Sequence, residues 1–504
     1  MKNPLKVTLA VSALFASGAI FARASLNHVD AKIYSKAVTK IAGSKNYSIY
    51  YTVLSKGPLG KFTSTKYFKY GQIQSKKYVS TKKGTYWDIY VDGRHIGWVN
   101  QNFFARNKIS VANDVSLVNN SEYNFNPKDA INYVTDSHGT AVNPSKVSVN
   151  HKSINSGKAG TTKVNYTYKK AQAWVNITVR DNEYEGNNSA TVSPQKGFKT
   201  VSGWNGSSKG SSTNWNAAHH YTSETRPNIL KGTNDLTLKT CLFQPRFVSL
   251  GYNQAADAMG QVGVIPEGIT VNNNIFVASM YSNSNDDHGH LVSYNLNRIK
   301  NKTAAQNLTT MKWSTFKYYA QNIKVSPYIK MGHGQALGSS KNYIYVMANN
   351  NKYSNGPQSE EILQIRKSDM KINKIWTFRI ADNRYIHNAT FVGDDTMYAL
   401  FHNGSHNYYE YWKLTRNDDE WNAEEVGATN GNFVSNSPVQ GFAYGNGNFY
   451  IGFNDNIFKV AKNGKAKSYH RFNTRREIEG MSVNGSKLYV EFAQRSELTV
   501  GKAN

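Results

Sequence analysis

Cysteine is nearly absent from the 504 residues, Cys241 standing alone, and this excludes an intramolecular disulfide framework and any cysteine-rich metal site. Set in an apolar alternating run, that thiol reads as a small buried hydrophobe rather than a nucleophile. Acidic residues are scarce too, 33 against 60 Lys and Arg, giving a formal charge of +27. An excess of this size calls for an anionic counterpart: nucleic acid, an acidic membrane surface or a wall polymer of the teichoic-acid type. Beyond residue 24 no apolar run is long enough to span a bilayer, so the mature chain is expected to have no transmembrane anchor. The Gly-x-Ser-x-Gly, His-Glu-x-x-His and Walker-type patterns are missing, which removes the commonest hydrolase and nucleotide readings. No amphipathic insertion element of a pore former is evident, and no cofactor is expected.

What is present begins with Lys2 and Lys6 before an uncharged run, Val7 to Ala22, and the small-x-small triplet Ala22-Arg23-Ala24. That order predicts a secretory signal peptide over 1–24. Secretion sets nucleic acid aside and leaves an anionic wall polymer or an envelope glycan as the expected partner. A secreted, basic, disulfide-free chain suits a Gram-positive source.

Residues 31–106 carry short β-runs, Tyr47–Val53, Lys76–Ser80 and Thr85–Tyr90, the last leading through Asp92-Gly93 into His95–Val99. Tight hairpins with one aromatic face predict a small barrel. The stretch Gly84-Thr-Tyr-Trp-Asp-Ile-Tyr90, then Asp92-Gly93, then Ile96-Gly-Trp-Val99, resembles a GW module, an SH3-like barrel. The resemblance implies attachment to wall teichoic acids. Lys82, Lys83, Tyr86, Trp87, Arg94 and Trp98 are the candidate wall-polymer residues, a cationic aromatic surface suited to a phosphate-bearing chain. Over 109–180 the runs Thr140–Val149, Thr161–Tyr168 and Ala171–Val179 alternate apolar and polar residues, as in an antiparallel sandwich. Their wording resembles bacterial immunoglobulin-like repeats, which implies a spacer. Residues 181–225 are rich in Gly, Ser and Asn and predict a flexible linker. Trp204 and Trp215 within it are candidates for docking on a neighbouring domain. His219-His220 lacks a nearby carboxylate and is not expected to bind a metal.

From residue 226 one unit recurs: a polar residue, a small residue, a short strand, a Gly/Asn/Asp turn and a β-rich strand. Taking Glu267, Gln335, Asn388, Gln440 and Glu479 as equivalent, the steps are 68, 53, 52 and 39 residues. These are blade-sized, and five copies predict a five-bladed β-propeller over 226–504 in an otherwise all-β chain. Few residues follow the last copy, so its outer strand is expected from upstream, from Leu236–Phe243 or Arg246–Leu250. Leu236–Lys239, Ile265–Thr270, Gly332–Gly338, Ile478–Val483 and Lys487–Val490 are similar to the helveticin J family, large secreted bacteriocins of lactobacilli. The resemblance implies growth inhibition or lysis of related Gram-positive bacteria through the cell envelope, with no catalytic residue to carry over.

In a propeller the innermost strand of each blade lines the axis. Glu267, Gln335, Asn388, Gln440 and Glu479 are therefore expected to ring one mouth of the channel, with His333, His387 and Glu477 nearby, as a ligand site. Glu267 and Glu479 also admit a glycosidase reading, one carboxyl as acid and the other as base or nucleophile. A metal is not expected at His333 and His387, for which no short-spaced ligand pair exists. Three functions stay open: a wall-binding antibacterial protein, a non-toxic surface adhesin, and a polysaccharide-cleaving enzyme.

Overall fold

The computed structural model describes residues 29–180, 201–206, 227–244 and 265–503, apart from short interruptions such as 66–72, 282–287, 309–317, 350–359 and 379–385. The signal segment 1–24, His219-His220, Trp215, the turn Asp92-Gly93 and Arg246–Leu250 lie outside the described residues. The chain is all-β. A small barrel and an Ig-like sandwich precede five antiparallel units, each of four strands except the last, which has five.

The barrel is one six-stranded sheet, in the order Lys32–Val38, Ile73–Thr81, Gly84–Val91, Arg94–Asn100, Ser48–Leu54, Gly57–Ser64. Its interior is filled by Ile49, Ile73, Trp87, Ile89 and Val99, all at 4% exposure or less. The Ig-like unit sets Lys108–Val111 and Ile131–Thr135 against a second sheet of Ser148–Val149, Gly160–Tyr168, Ala171–Arg180 and Val115–Val118. Val115, Val164, Tyr166, Val175 and Ile177 are fully buried between them. The strand expected over Thr140–Val149 is reduced to Ser148–Val149, because Asn143 caps a helical turn at Pro144–Lys146 and accepts from the Ser145 amide at 2.9 Å.

Five units follow, each a meander whose first strand is innermost. Blade one is Ile265–Asn272, Ile275–Tyr281, His288–Asn295 and Ile323–Val325; blade two is Leu337–Ser339, Tyr343–Asn349, Glu360–Arg366 and Ile372–Phe378. Blade three is Asn388–Phe391, Thr396–Asn403, Tyr408–Asn417 and Glu420–Gly431; blade four is Gly441–Gly445, Asn448–Phe453, Asn456–Ala461 and Ala466–Arg471. Blade five is Ile478–Asn484, Lys487–Phe492 and Glu497–Lys502, completed from upstream by Thr237–Phe243 and then Ile229–Lys231. The turns joining first and second strands obey hairpin chemistry: Asn273-Asn274 and Asn446-Gly447 both hold positive φ.

Each innermost strand lies against the next, and that of blade five lies against that of blade one. The Val271 amide donates to Ser482 Oγ at 2.9 Å across this last junction. Glycine marks the tightest approaches. A Cβ on Gly268 would stand 2.4 Å from the Gly334 carbonyl, and one on Gly480 2.7 Å from the Ile269 amide.

Two strands tie the parts together. Tyr328–Lys330 pairs with His288–Gly289 of blade one and, in parallel, with Val115–Ser116 of the Ig-like unit, so one sheet runs through both. Within the linker expected over 181–225, Val201–Gly206 is a strand added in parallel to the outer edge of blade three. The barrel is fixed as well: Val38 bridges Thr140, and Tyr34 donates to Asp136 at 3.3 Å.

Candidate functional site

The repeat places its polar residues where the innermost strands begin. Gln335 of blade two donates to Gln440 of blade four at 2.5 Å, a bond between non-adjacent blades, so both side chains reach inward over the axis. Gln440 donates in turn to Glu477. Glu479 sits beside Glu477 and Glu267, Gln335 beside Glu267, and His333 Nε2 stands 3.6 Å from Glu267 Oε2. The residue after each polar position is Gly268, Ala336, Ala389, Gly441 or Gly480, small because the neighbouring inner strand is close.

The electrostatics follow from burial. Glu267, Glu477 and Glu479 are 7%, 6% and 3% exposed. Burial, reinforced by Glu477, lifts Glu267 from 4.5 to about 8. Burial lifts Glu477 to about 7, and burial with the Glu267 charge holds Glu479 well above the ordinary carboxyl value. The mouth is thus lined by carboxyl groups held toward their protonated form by burial, with Gln440 donating to one of them. His333, with a side chain 64% exposed, is the cluster's outlet to solvent. The loop that carries it needs both flanking glycines: Gly332 and Gly334 have φ of +59° and +73°, and a Cβ on Gly334 would meet the Tyr281 hydroxyl at 2.1 Å.

Of the seven axial candidates, Glu267, His333, Gln335, Gln440 and Glu479 come together, with Glu477. Asn388 occupies the equivalent place in blade three, but its Oδ1 accepts from the Ala389 amide at 2.8 Å and it takes no part in the web. His387 turns to its own hairpin: its Nδ1 accepts from the His402 amide at 3.1 Å, and burial lowers its pKa to about 4. Among the described residues no group of three or more His, Cys, Asp or Glu is placed to hold a metal.

Sequence reasoning missed a second buried acidic series on the same face. Glu360, Glu410 and Glu497 stand at or near the start of the third strand in blades two, three and five. Glu360 Oε1 accepts from the Ile386 amide at 3.1 Å, on the way into the next blade. Glu497 takes Thr240 and an ion pair with Arg476 at 2.5 Å, tying the closing strand to the entry of blade five. The signal was there, a carboxylate opening the third run of several units, but it emerges only when that run is aligned.

In the barrel, the expected polymer surface separates into two kinds of residue. Trp87 and Tyr86, 1% and 7% exposed, are core; Trp87 packs on Tyr34, Tyr78 and Phe104, so neither aromatic is available to a polymer. Trp98 is half-buried with Lys77 Nζ 5.8 Å from its ring centre. Lys82, Lys83 and Arg94 are exposed. Gly97 has φ +135°, and a Cβ there would stand 2.6 Å from the Tyr50 carbonyl, so the glycine of the Gly-Trp pair is set by strand contact. Cys241 is half-buried in the closing strand, its thiol pushed up to about 11 by burial.

Residues 31–105 match the GW (Gly-Tryp) dipeptide domain. The barrel is GW-type. Residues 124–179 match the bacterial Ig-like domain, group 3. Domains of the GW type are cell-wall-binding, which gives this chain a cell-envelope partner and a surface or wall association. No curated protein matches in sequence. Solved structures with some likeness are a gluconolactonase from Xanthomonas campestris (10% identity, 56% of this chain and 97% of that one, TM-score 0.29) and BamB from Moraxella catarrhalis (10%, 55% and 93%, TM-score 0.23). A third is a catalytically inactive virginiamycin B lyase from Staphylococcus aureus with quinupristin (10%, 56% and 82%, TM-score 0.27). Among the described residues no helix is long and apolar enough to cross a membrane.

Proposed function

We propose that this is a secreted, bacteriocin-like antibacterial protein. The GW-type barrel holds it to an anionic polymer of the Gram-positive wall, and the propeller's axial face meets an envelope glycan of related bacteria. The observation that carries the wall-binding half is the lysine-rich barrel: residues 31–87 contain twelve lysines and no Asp or Glu. The antagonistic half leans on the helveticin-like wording of the propeller, Gly332–Gly338 above all, whose glycines seat His333 over Glu267. The web of Glu267, Gln335, Gln440, Glu477 and Glu479 would receive the ligand by exchanging its internal bonds for bonds to hydroxyl groups.

One feature favours the adhesin as second reading. The axial amides are already engaged inside the cluster, Gln335 with Gln440 and Gln440 with Glu477, so the site is built to hold rather than to cut. Glycoside cleavage fits less well: an acid and a base need carboxyl groups driven apart in pKa, and Glu267, Glu477 and Glu479 are all driven upward.

The test adds full-length protein to live Gram-positive indicator cells and follows viability and propidium uptake together. Loss of viability with dye entry is expected, abolished in Glu267→Gln/Gln440→Leu. Wall binding that leaves every indicator strain viable would overturn the antibacterial reading in favour of the adhesin.

A further inference from the structure

The barrel's outer hairpin, Ser48–Leu54 and Gly57–Ser64, leaves the sheet after its root. Only Ile49 and Tyr50 pair with the neighbouring Arg94–Asn100 strand, and Gly57–Ser64 is the sheet edge. The remainder is a two-stranded ribbon. It carries Tyr51 at 62% and Phe62 at 42% exposure, ring centres 4.7 Å apart and planes inclined by 44°. Beneath them Gly60, at φ +68°, lies so close that its Cβ would be 3.1 Å from the Tyr51 ring. The pair is therefore propped outward as a platform while Tyr86 and Trp87 fill the core.

The ribbon is cationic. Lys56 and Lys61 are exposed on it, and the stem of exposed Lys83 lies against Gly57, where a Cβ would meet its Cδ at 2.7 Å. No acidic residue occurs between Asp30 and Asp88 to offset these charges.

We propose that this ribbon is the polymer-binding element of the barrel, and that it selects a polyol phosphate chain carrying hexose substituents. The inference rests on the wall-binding reading above. Lysine ammonium groups serve the phosphates as point charges. The Tyr51–Phe62 platform has nothing to stack on in a bare polyol phosphate, whereas a pyranose ring presents a flat C–H face that an aromatic surface covers. Charge then supplies attachment, and the ring pair supplies the choice between substituted and bare polymer.

The experiment measures binding of full-length protein to purified poly(glycerol phosphate) with and without hexosyl substituents. Wild type, Tyr51→Ala/Phe62→Ala and Lys56→Gln/Lys61→Gln/Lys83→Gln are compared. All five positions are at the surface, and an unchanged thermal midpoint certifies each fold. Wild type is expected to prefer the substituted polymer by about fivefold, the worth of one stacked ring. The aromatic variant should lose that preference yet bind bare polymer as wild type does, Tyr51→Phe/Phe62→Tyr should keep it, and the lysine variant should lose both ligands. Equal wild-type binding to the two polymers, or a preference that survives the aromatic variant, overturns the ribbon. Wild type that binds neither polymer overturns the wall-binding reading itself.

Discussion

Glu267 and Glu477 bind their protons more tightly in the folded chain, at about 8 and about 7 against 4.5 ordinarily. A carboxyl whose folded pKa is raised contributes stability that is whole below 4.5 and is lost as pH rises through the folded value. Buried His290 and His387 act in the opposite sense: lowered from 6.5 to about 4, they contribute stability that is whole above 6.5 and lost toward 4. The two effects oppose each other at mildly acidic pH; from 6.5 to 8 the raised carboxyl groups, Glu361 at about 8 among them, outweigh Lys367, which burial lowers to about 8 and which acts in the opposite sense. The thermal midpoint is therefore expected to fall between pH 6.5 and 8, and Glu267→Gln should flatten that fall by raising the midpoint at pH 8; a midpoint that rises with pH over this window contradicts the protonated cluster. Glycine at the mouth is tested as directly. Gly268→Ala or Gly480→Ala drives a methyl into backbone and should cost about 1–3 kcal/mol in chemical denaturation, while Ala336→Ser, at the same place in blade two, stays milder. These residues were legible because the repeat pairs a polar with a small side chain five times. That Asn388 would turn to its own backbone was not, because a hydrogen bond to the next amide leaves no trace in spacing.

At the scale of single strands, turn chemistry carried the reading furthest. Asn273-Asn274 and Asn446-Gly447 demand positive φ, and each hairpin falls where those residues stand. Leu236–Phe243 alternates clearly enough to be named as a closing strand, and Thr237–Phe243 occupies that place beside Glu497–Lys502. Val201–Gly206 was not legible: a strand added in parallel at a sheet edge, with Gly at two of six positions, has a linker's composition. Thr140–Val149 failed in the other direction, its alternation overruled by the Asn143–Pro144 cap. The closing strand gives a test. Leu238, fully buried beside Leu488 and Val490, should cost about 2–5 kcal/mol as Leu238→Ala in urea unfolding. Thr240→Pro removes a ladder donor and the hydroxyl that Glu497 accepts. It should leave blade five open and protease-sensitive between 227 and 244, and resistance equal to wild type would show that the upstream strand is dispensable.

Across the whole molecule, composition foretold three all-β parts, but the way they are joined was invisible. Tyr328–Lys330 is three residues long, and its two partners lie about 40 and 210 residues upstream. No periodicity announces a strand that hydrogen-bonds one domain along each edge. Yet this strand makes the Ig-like unit a continuation of blade one, with Tyr328 packed in the Ig-like core and Ile329 in the propeller core. The Ig-like unit is thereby a rigid arm, and whatever surface the barrel grips fixes where the axial face points. Coupling of this kind should appear as cooperativity: calorimetry of the full chain should give a single transition spanning the Ig-like unit and propeller. Ser116→Pro removes an amide from a strand paired on both sides, with Thr178 and with Ile329. It should split that transition, the Ig-like unit melting first while the propeller keeps its own midpoint. If wild type already melts in two separate steps, the arm is jointed, and the barrel tethers the propeller without aiming it.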